Sequence, residues 1–323
     1  MGEIAVKEIN FFARKTMKGF PKLRKTGAIA GSGECTPFVW RGKLMLLENH
    51  WGGFGGTKGP CAVAHDYFTH EPTAPVGGDG CRFFSAFCED DRVHVFGTLE
   101  NRVRHYVSED LREWRKTPAL EMPETFELFN TSVCRGGGKY VMALECAWKG
   151  QSEGKPNTVG NPYIGAYYTE FFAQSPDLKN WEALPFENCY TKERYNACPA
   201  LRFCEGWYYM ICLEELPCTR YAPYLYRTRD FETWEIGLYN PILMPGEEDR
   251  RVKPGAPIPE DVAALNATHV DINNSDVDLC EFEGKTYFVY CSGNQGTTGA
   301  FNGMTCEAVY DGPMDEYFRA NFE

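Results

Sequence analysis

Short apolar runs separated by turn residues follow one another along most of this chain, and one stretch shows the pattern most clearly. Residues 197–238 contain, in order, ACPALRFCE, GWYYMICLEE, APYLYRTRD and TWEIGL. Runs of this length, rich in aromatic and aliphatic residues and bounded by glycine, proline and aspartate, are typical of strands. Two further segments repeat the same order, and four short strands over roughly 50 to 65 residues indicate the blade of a β-propeller.

A Ser/Thr-x-Asp-Leu/Phe-x-x-Trp motif accompanies each of these three units. It reads SEDLREW at residues 108–114, SPDLKNW at 175–181 and TRDFETW at 228–234. In each unit the motif falls between the third and fourth runs, where an aspartate can accept hydrogen bonds from the backbone of its own turn. The tryptophan is expected to fill the space between neighbouring blades. The motif is therefore predicted to be structural, with its aspartates at the outer rim.

Two weaker units complete the predicted ring. One contains CTPFVWRG and KLMLLENHW before the first motif, and the other contains DVDLCEFEG, KTYFVYCSG and MTCEAVYDG after the last. The predicted fold class is therefore all-β: a five-bladed β-propeller formed by a single domain over residues 1–323. Because neither outer unit carries the motif, we expect the N-terminal segment EIAVKEINFFARK, residues 3–15, to supply a strand to the last blade.

The topology of a blade predicts which residues share the mouth of the central funnel. The start of the first strand and the end of the second lie at the same face of the disc. The ends of the second strands supply Glu48, Glu100, Glu145 and Glu214 at equivalent positions of four blades, although the blade of Glu100 offers no polar partner on its inner strand. The starts of the inner strands supply Glu34, Asn130, Asn196, Asn274, Asp276 and Asp278.

Carboxylates that converge on one mouth repel one another, which raises at least one pKa and separates a protonated acid from an ionised base. Glycosidic hydrolysis requires such a pair. The stretch INNSDVD is expected to alternate, with Asn274, Asp276 and Asp278 facing inward. Three inward polar residues need partners, which substrate hydroxyls, a cation or a neighbouring arginine would provide. A polar network that closes the ring is the alternative interpretation.

Two loops near the predicted mouth carry further candidates for substrate binding. The stretch ENHWGGFGG places His50 and Trp51 on a glycine-rich loop, and SGNQG places Gln295 after the last second strand. The glycine-rich loop lacks the GxxxxGK[ST] spacing of a phosphate-binding loop and is interpreted as a lid or rim loop.

Composition and charge limit the classes of molecule that this protein is expected to bind. A net charge of −12 disfavours nucleic acid, and no apolar run reaches the length of a membrane span. The fourteen cysteines show no zinc-type spacing and the N-terminus no signal-peptide pattern, so reduced thiols and a cytoplasmic location are expected. The expected partner is a carbohydrate substrate, with no nucleic acid and no membrane. No cofactor or metal ligand is predicted, and a structural cation in the central channel is left open.

The motif, the hairpins WRGKLMLLEN, CEGWYYMICLEE and FEGKTYFVY, and the five-blade count resemble the five-bladed propeller glycosidases, glycoside hydrolase family 43 and relatives such as families 117 and 130. The resemblance implies a carbohydrate substrate and three inner-strand carboxylates: a base Asp, a pKa-modulating Asp and an acid Glu. Glu34 stands at the first of these positions, but Asn130 and Asn196 stand at the others. Glu145, Glu214 and Asp276 are expected to supply the missing carboxylates.

Three functions remain open from the sequence. The first is an exo-acting, inverting glycosidase on a small glycoside, with Glu214 as proton donor, Asp276 or Glu34 as base, and Glu145 as a further carboxylate of the site. The second is a phosphorylase, for which Arg102, Arg104 and Arg220 are the candidate phosphate ligands. The third is a catalytically silent carbohydrate-binding propeller.

Overall fold

The structure is a computed structural model that describes residues 20–31, 33–151, 167–216, 220–269, 273–293 and 303–323. Its strands form five four-stranded antiparallel sheets, so the prediction of an all-β, five-bladed propeller is confirmed. Blades 1 and 2 comprise β2 (Cys35–Trp40), β3 (Lys43–His50), β4 (Cys61–Asp66) and β5 (Val76–Gly77), then β6 (Arg82–Glu89), β7 (Arg92–Leu99), β8 (Arg102–Ser108) and β9 (Arg115–Glu121). Blades 3 and 4 comprise β10 (Phe126–Gly136), β11 (Lys139–Trp148), β12 (Thr169–Ser175) and β13 (Glu182–Ala183), then β14 (Asn196–Cys204), β15 (Trp207–Leu216), β16 (Arg220–Thr228) and β17 (Trp234–Ile236).

The fifth blade joins the two ends of the described chain. Its strands are β18 (Asn273–Phe282), β19 (Lys285–Gly293), β20 (Met304–Tyr310) and β1 (Arg24–Ala30). The order β1-β20-β19-β18 makes β1 the outer strand, and its register runs from Arg24 opposite Val309 to Ala30 opposite Thr305. The segment that the sequence analysis named for this role, residues 3–15, lies outside the described residues.

Helical structure in the described part of the chain is limited to α1 (Glu260–Thr268), α2 (Met314–Ala320) and a 3-10 turn at Glu247–Arg250. Helix α2 packs on the propeller through Phe318, whose ring is stacked on Tyr209 with 4.2 Å between centroids. No helix among the described residues is long and apolar enough to cross a membrane.

The repeated motif forms the turn between the third and fourth strands of blades 2, 3 and 4, as predicted. In each turn the aspartate accepts two backbone N–H bonds; Asp110 accepts them from Arg112 and Glu113 at 2.9 and 3.0 Å. The preceding Ser108 accepts another from Leu111 at 2.9 Å. Asp177 and Asp230 make the equivalent bonds in their own turns.

The motif tryptophans contribute to the packing between blades. Trp114 donates its indole N–H to the carbonyl of Ala74 in blade 1, at 3.4 Å. Trp181 packs edge-to-face on Phe96 of blade 2, and Trp234 is stacked on Phe172 of blade 3. Each tryptophan therefore contacts the preceding blade, which is the role predicted for it.

The inner strands of blades 2 to 5 are interrupted by a β-bulge near their starts. In β18 the register changes between Ser275, opposite Cys291, and Asp278, opposite Val289. Asp276 lies within this bulge and has a left-handed backbone, with φ of 51°. The strict alternation predicted for INNSDVD is therefore wrong, because a bulge adds a residue and re-aims the side chains around it.

The thirteen described cysteines are all free thiols, and eight of them are buried. Cys218 lies outside the described residues.

Candidate functional site

A pocket of about 660 Å³ opens at the mouth of the funnel. Its lining includes Glu34 and Asp276, which also line a smaller cavity of about 40 Å³. The full lining of the mouth pocket is Gly31, Gly33, Glu34, Glu48, Asn49, His50, Trp51, Asp276, Cys291 and Gly303. A pocket of this size is in the range of those that enclose small ligands.

The floor below the mouth is formed by four polar residues at matching positions of four inner strands: Thr36, Ser85, Thr131 and Asp278. Ser85 and Thr131 are hydrogen-bonded at 2.9 Å. Asp278 is ion-paired with Arg202 of blade 4 at 2.5 Å and is 9% exposed. These contacts link the inner strands of neighbouring blades around the smaller cavity.

Glu34 precedes the inner strand of blade 1 and is held there through its backbone. Asn49 donates its amide to the carbonyl of Glu34 at 3.1 Å and to that of Phe84 at 2.9 Å, which ties blade 1 to blade 2. Atom Oε2 of Glu34 is buried and has no hydrogen-bond partner among the described residues. Burial, and then the charges of Asp276 and Glu145, raise the pKa of Glu34 well above its usual value.

Glu145 lies on the second strand of blade 3 and is 3% exposed. Its Oε2 accepts hydrogen bonds from the backbone N–H of Cys198 at 2.8 Å and from the amide of Asn130 at 3.1 Å. Burial raises the pKa of Glu145 to about 7, while these two donors act in the opposite direction and Asp276 adds to the rise. The structure thus brings Glu34, Glu145 and Asp276 into one electrostatically coupled group.

Asp276 accepts a hydrogen bond beside the pocket. Ser275 donates its hydroxyl to Oδ2 of Asp276 at 2.5 Å. The bulge described above aims the carboxylate of Asp276 at the mouth, between the two cavities that it lines.

Glu214 is separated from this group. Its carboxylate is 1% exposed and is bound by the hydroxyl of Tyr226 and the guanidinium of Arg194. Burial raises the pKa of Glu214 to about 7. Asn196, which lies opposite Glu214 in the sheet, is also 1% exposed. Neither residue lines the mouth pocket or the inner cavity.

The four second-strand glutamates do not share one register position, and this part of the sequence analysis is wrong. Glu48 and Glu145 each follow a leucine, Leu47 or Leu144, that pairs with a threonine of the floor. Glu214 lies two positions further along its strand, because Ile211 pairs with the floor position of its blade. Glu100 is exposed in the turn after β7. Blades 3 and 4 carry the same bulge, so the offset comes in part from the length of the hairpin: Leu144 is five residues after Lys139, whereas Ile211 is four residues after Trp207.

Glu48 points to a separate cluster at the edge of the mouth. Its Oε2 lies 3.7 Å from Nε2 of His50 and 3.7 Å from Nε2 of His65. Burial raises the pKa of Glu48 to about 7 and lowers the pKa of both imidazoles. His65, on the third strand of blade 1, was missed by the sequence analysis; the only signal available was a polar residue in the run CAVAHD.

Asn274 belongs to a buried network. It is 0% exposed and accepts a hydrogen bond from Lys25 of β1 at 2.7 Å. Lys25 is also ion-paired with the fully buried Asp249 at 2.6 Å. For Asn274, the alternative interpretation of a network that closes the ring therefore matches the contacts. Gln295, the remaining predicted ligand, lies outside the described residues.

A chain of aromatic rings leads from Trp51 at the mouth pocket to Tyr221 in blade 4, and most of it was missed by the sequence analysis. Neighbouring centroids lie between 4.9 and 5.4 Å apart. The members are Trp51, Phe83, Phe129, Tyr168, Tyr195 and Tyr221. Trp51 is 47% exposed, and Phe83 and Phe129 each lie in the bulge of an inner strand.

No protein-family model matches the sequence, and no curated protein matches it. Solved structures do resemble it. The protein BT0996, solved as an RGII complex, aligns over 93% of this chain and 96% of its own length, with a TM-score of 0.59 and 12% identity. The α-L-arabinofuranosidase PaAbf62A from Podospora anserina, in complex with cellotriose, aligns over 90% and 97%, with a TM-score of 0.59 and 9% identity.

A third similar structure is the GH32 β-fructofuranosidase BmSUC1 of Bombyx mori. It aligns over 96% of this chain and 67% of its own, with a TM-score of 0.54 and 14% identity. At such identities the similarity establishes the shared fold and leaves the chemistry to be argued from the residues of this chain.

Proposed function

We propose that this protein is a glycoside hydrolase that acts on the end of a small oligosaccharide or glycoside. The observation that carries the proposal is that Glu34 and Asp276 line one pocket, where Asp276 and the buried Glu145 both help to raise the pKa of Glu34. Hydrolysis of a glycosidic bond requires a carboxylic acid and a carboxylate at one site, and carboxyl groups whose environments differ supply that pair. The similar structures include an α-L-arabinofuranosidase and a β-fructofuranosidase, which agrees with the proposal.

Glu34 is the proposed proton donor. Its pKa is raised well above the usual value, which favours the protonated form, and its unpartnered Oε2 is free to donate to the oxygen of the leaving group. Glu214, predicted as the donor from sequence, is engaged by Tyr226 and Arg194 instead. We therefore assign donation to Glu34.

Asp276 is the proposed base. Its carboxylate lines the same pocket as Glu34 and would accept a proton from the attacking water on the opposite face of the sugar. Glu145 does not line the pocket, and its proposed role is electrostatic: its charge helps to hold the proton on Glu34. In this assignment, direct attack by water inverts the anomeric configuration.

The surroundings of the carboxyl groups favour a substrate whose terminal sugar enters the pocket. The four polar side chains of the floor line the neighbouring small cavity, and one of them, Asp278, is ion-paired with Arg202, so these side chains are expected to limit how far a sugar chain reaches into the channel. The exposed face of Trp51 and the neighbouring ring of Phe83 offer an apolar surface beside the pocket. Such aromatic surfaces are suited to the C–H faces of sugar rings.

The test is a panel of aryl and short oligosaccharide glycosides of both anomeric configurations, assayed with and without inorganic phosphate. We expect release of a reducing sugar that does not depend on phosphate, and NMR of the first product should show the inverted anomer. Formation of a sugar phosphate only when phosphate is present would replace hydrolysis with phosphorolysis. Binding of glycosides without turnover by the wild-type protein would contradict the enzyme and favour a carbohydrate-binding propeller.

A further inference from the structure

The cluster of Glu48, His50 and His65 has the composition and spacing of a metal site. One carboxylate oxygen and two imidazole nitrogens lie within 4.8 Å of one another. Zn–N distances of roughly 2.0–2.1 Å place two ligand atoms of a tetrahedral ion about 3.4 Å apart. The 3.7 Å between Glu48 Oε2 and each Nε2 is close to that separation and too long for a hydrogen bond.

The two histidines face the cluster with nitrogens that lack any other partner. Nε2 of His50 and Nε2 of His65 are buried and make no hydrogen bond to the described residues. Buried polar atoms without partners are uncommon in folded proteins, and two that point at one carboxylate oxygen indicate a missing ligand. Nδ1 of His65 lies 3.4 Å from the carbonyl of His70, a contact that leaves Nε2 with its lone pair free for a metal.

The glycine-rich loop after β3 encloses this cluster. Phe54 lies 4.9 Å from the ring of His50 and 6.0 Å from that of His65. The loop reaches this position through Gly53, which has φ of 93° and where a Cβ would lie 2.1 Å from the carbonyl oxygen of Thr57. An apolar ring over two ligating imidazoles limits the access of water to a bound ion.

We propose that Glu48, His50 and His65 bind one divalent transition-metal ion, with Zn²⁺ as the natural probe. Two imidazoles and one carboxylate favour Zn²⁺ and its neighbours over Ca²⁺ or Mg²⁺, which prefer all-oxygen sites. Three protein ligands leave a coordination position for water or a ligand hydroxyl. Glu48 and His50 line the mouth pocket, so an ion held here would form part of its wall, apart from Glu34 and Asp276.

The experiment is a metal titration of the full chain after removal of metals with a chelator. We expect one equivalent of Zn²⁺ to bind in competition with a chromophoric chelator. His65→Ala should weaken this binding at least about a hundredfold, because it removes one of three ligands. His70→Asn is the matched control: it removes a nearby imidazole, keeps the carbonyl beside His65, and tolerates the left-handed backbone at that position, so its binding should stay within about threefold.

The absorption spectrum of bound Co²⁺ distinguishes binding at this site from binding by cysteine thiolates. Co²⁺ bound by His and carboxylate should show visible d–d absorption without thiolate charge transfer, and His65→Ala should abolish that absorption. If His65→Ala does not fold, Glu48→Gln takes its place. No stoichiometric Zn²⁺ binding, equal binding by wild type and variant, or a thiolate spectrum would each overturn the proposal. These readouts do not depend on glycosidase activity.

Discussion

The carboxyl groups of the outer turns and those of the mouth have opposite electrostatics, although both recur from blade to blade. In the outer turns, backbone N–H donors lower the pKa of Asp110, Asp177 and Asp230. At the mouth, burial raises the pKa of Glu34 and Glu145. Backbone donors favour the ionised acid, which stabilises a turn, whereas burial favours the protonated acid, which can take part in proton transfer.

The largest expected effect comes from the mouth. Glu34→Gln and Asp276→Asn should each reduce the turnover of the best glycoside at least about a hundredfold, since each removes a general acid or base. Neither variant should melt below the wild type, because each removes one member of a mutually repelling buried group. Asp230→Asn, in an outer turn, is the control for the assay. Full activity in either mouth variant would show that the assignment of roles is wrong.

The two regions also differ in how far the sequence predicts them. The outer turns are local: Asp230 and the N–H groups of Glu232 and Thr233 that it binds lie within three residues, so the motif alone predicted the turn. The mouth is assembled from distant segments. Glu34 and Asp276 come from the first and last blades, and no local pattern specifies that they share a pocket.

Register explains most of the errors at the mouth. Blade topology alone predicted that Glu34, Asp276 and Glu145 lie near one end of the funnel, and Asp276 is close enough to raise the pKa of both Glu34 and Glu145. The sequence could not predict the bulge at Asp276 or the offset of Glu214, since both depend on how a strand pairs with its neighbour rather than on the residues of one strand.

An intermediate effect is expected for Glu214. Its pKa is raised like that of Glu145, but its carboxylate is bound by Tyr226 and Arg194 and does not line the pocket. Glu214→Gln should keep turnover within about threefold of the wild type, because its carboxylate does not line the pocket. It should lower the free energy of unfolding by about 1–3 kcal/mol, since one of the two buried acceptor oxygens used by Tyr226 and Arg194 is replaced by a donor. Activity and urea denaturation measured on one preparation give both values. A hundredfold loss of turnover with unchanged stability would restore Glu214 as the proton donor.

The smallest expected effect concerns how stability depends on pH, and it should have opposite signs for Glu145 and Asp177. Glu145 has its pKa raised to about 7, so its ionisation opposes folding above its unfolded pKa of about 4.3. Glu145→Gln should therefore gain melting temperature relative to the wild type as pH rises from about 4.5 to 7, and no more above that. Asp177 has its pKa lowered to about 2, so its ionised form favours folding above the unfolded value of about 3.9.

Asp177→Asn should accordingly be less stable than the wild type at pH 5, and this deficit should shrink as the pH falls from about 4 towards 2. Scanning calorimetry of the wild type and the two variants between pH 3 and 8 measures both differences. The wild-type curve alone cannot separate them, because other carboxyl groups titrate over the same range. If the two differences changed with pH in the same direction, the contrast between a turn-forming carboxylate and a proton-holding one would not hold for these residues.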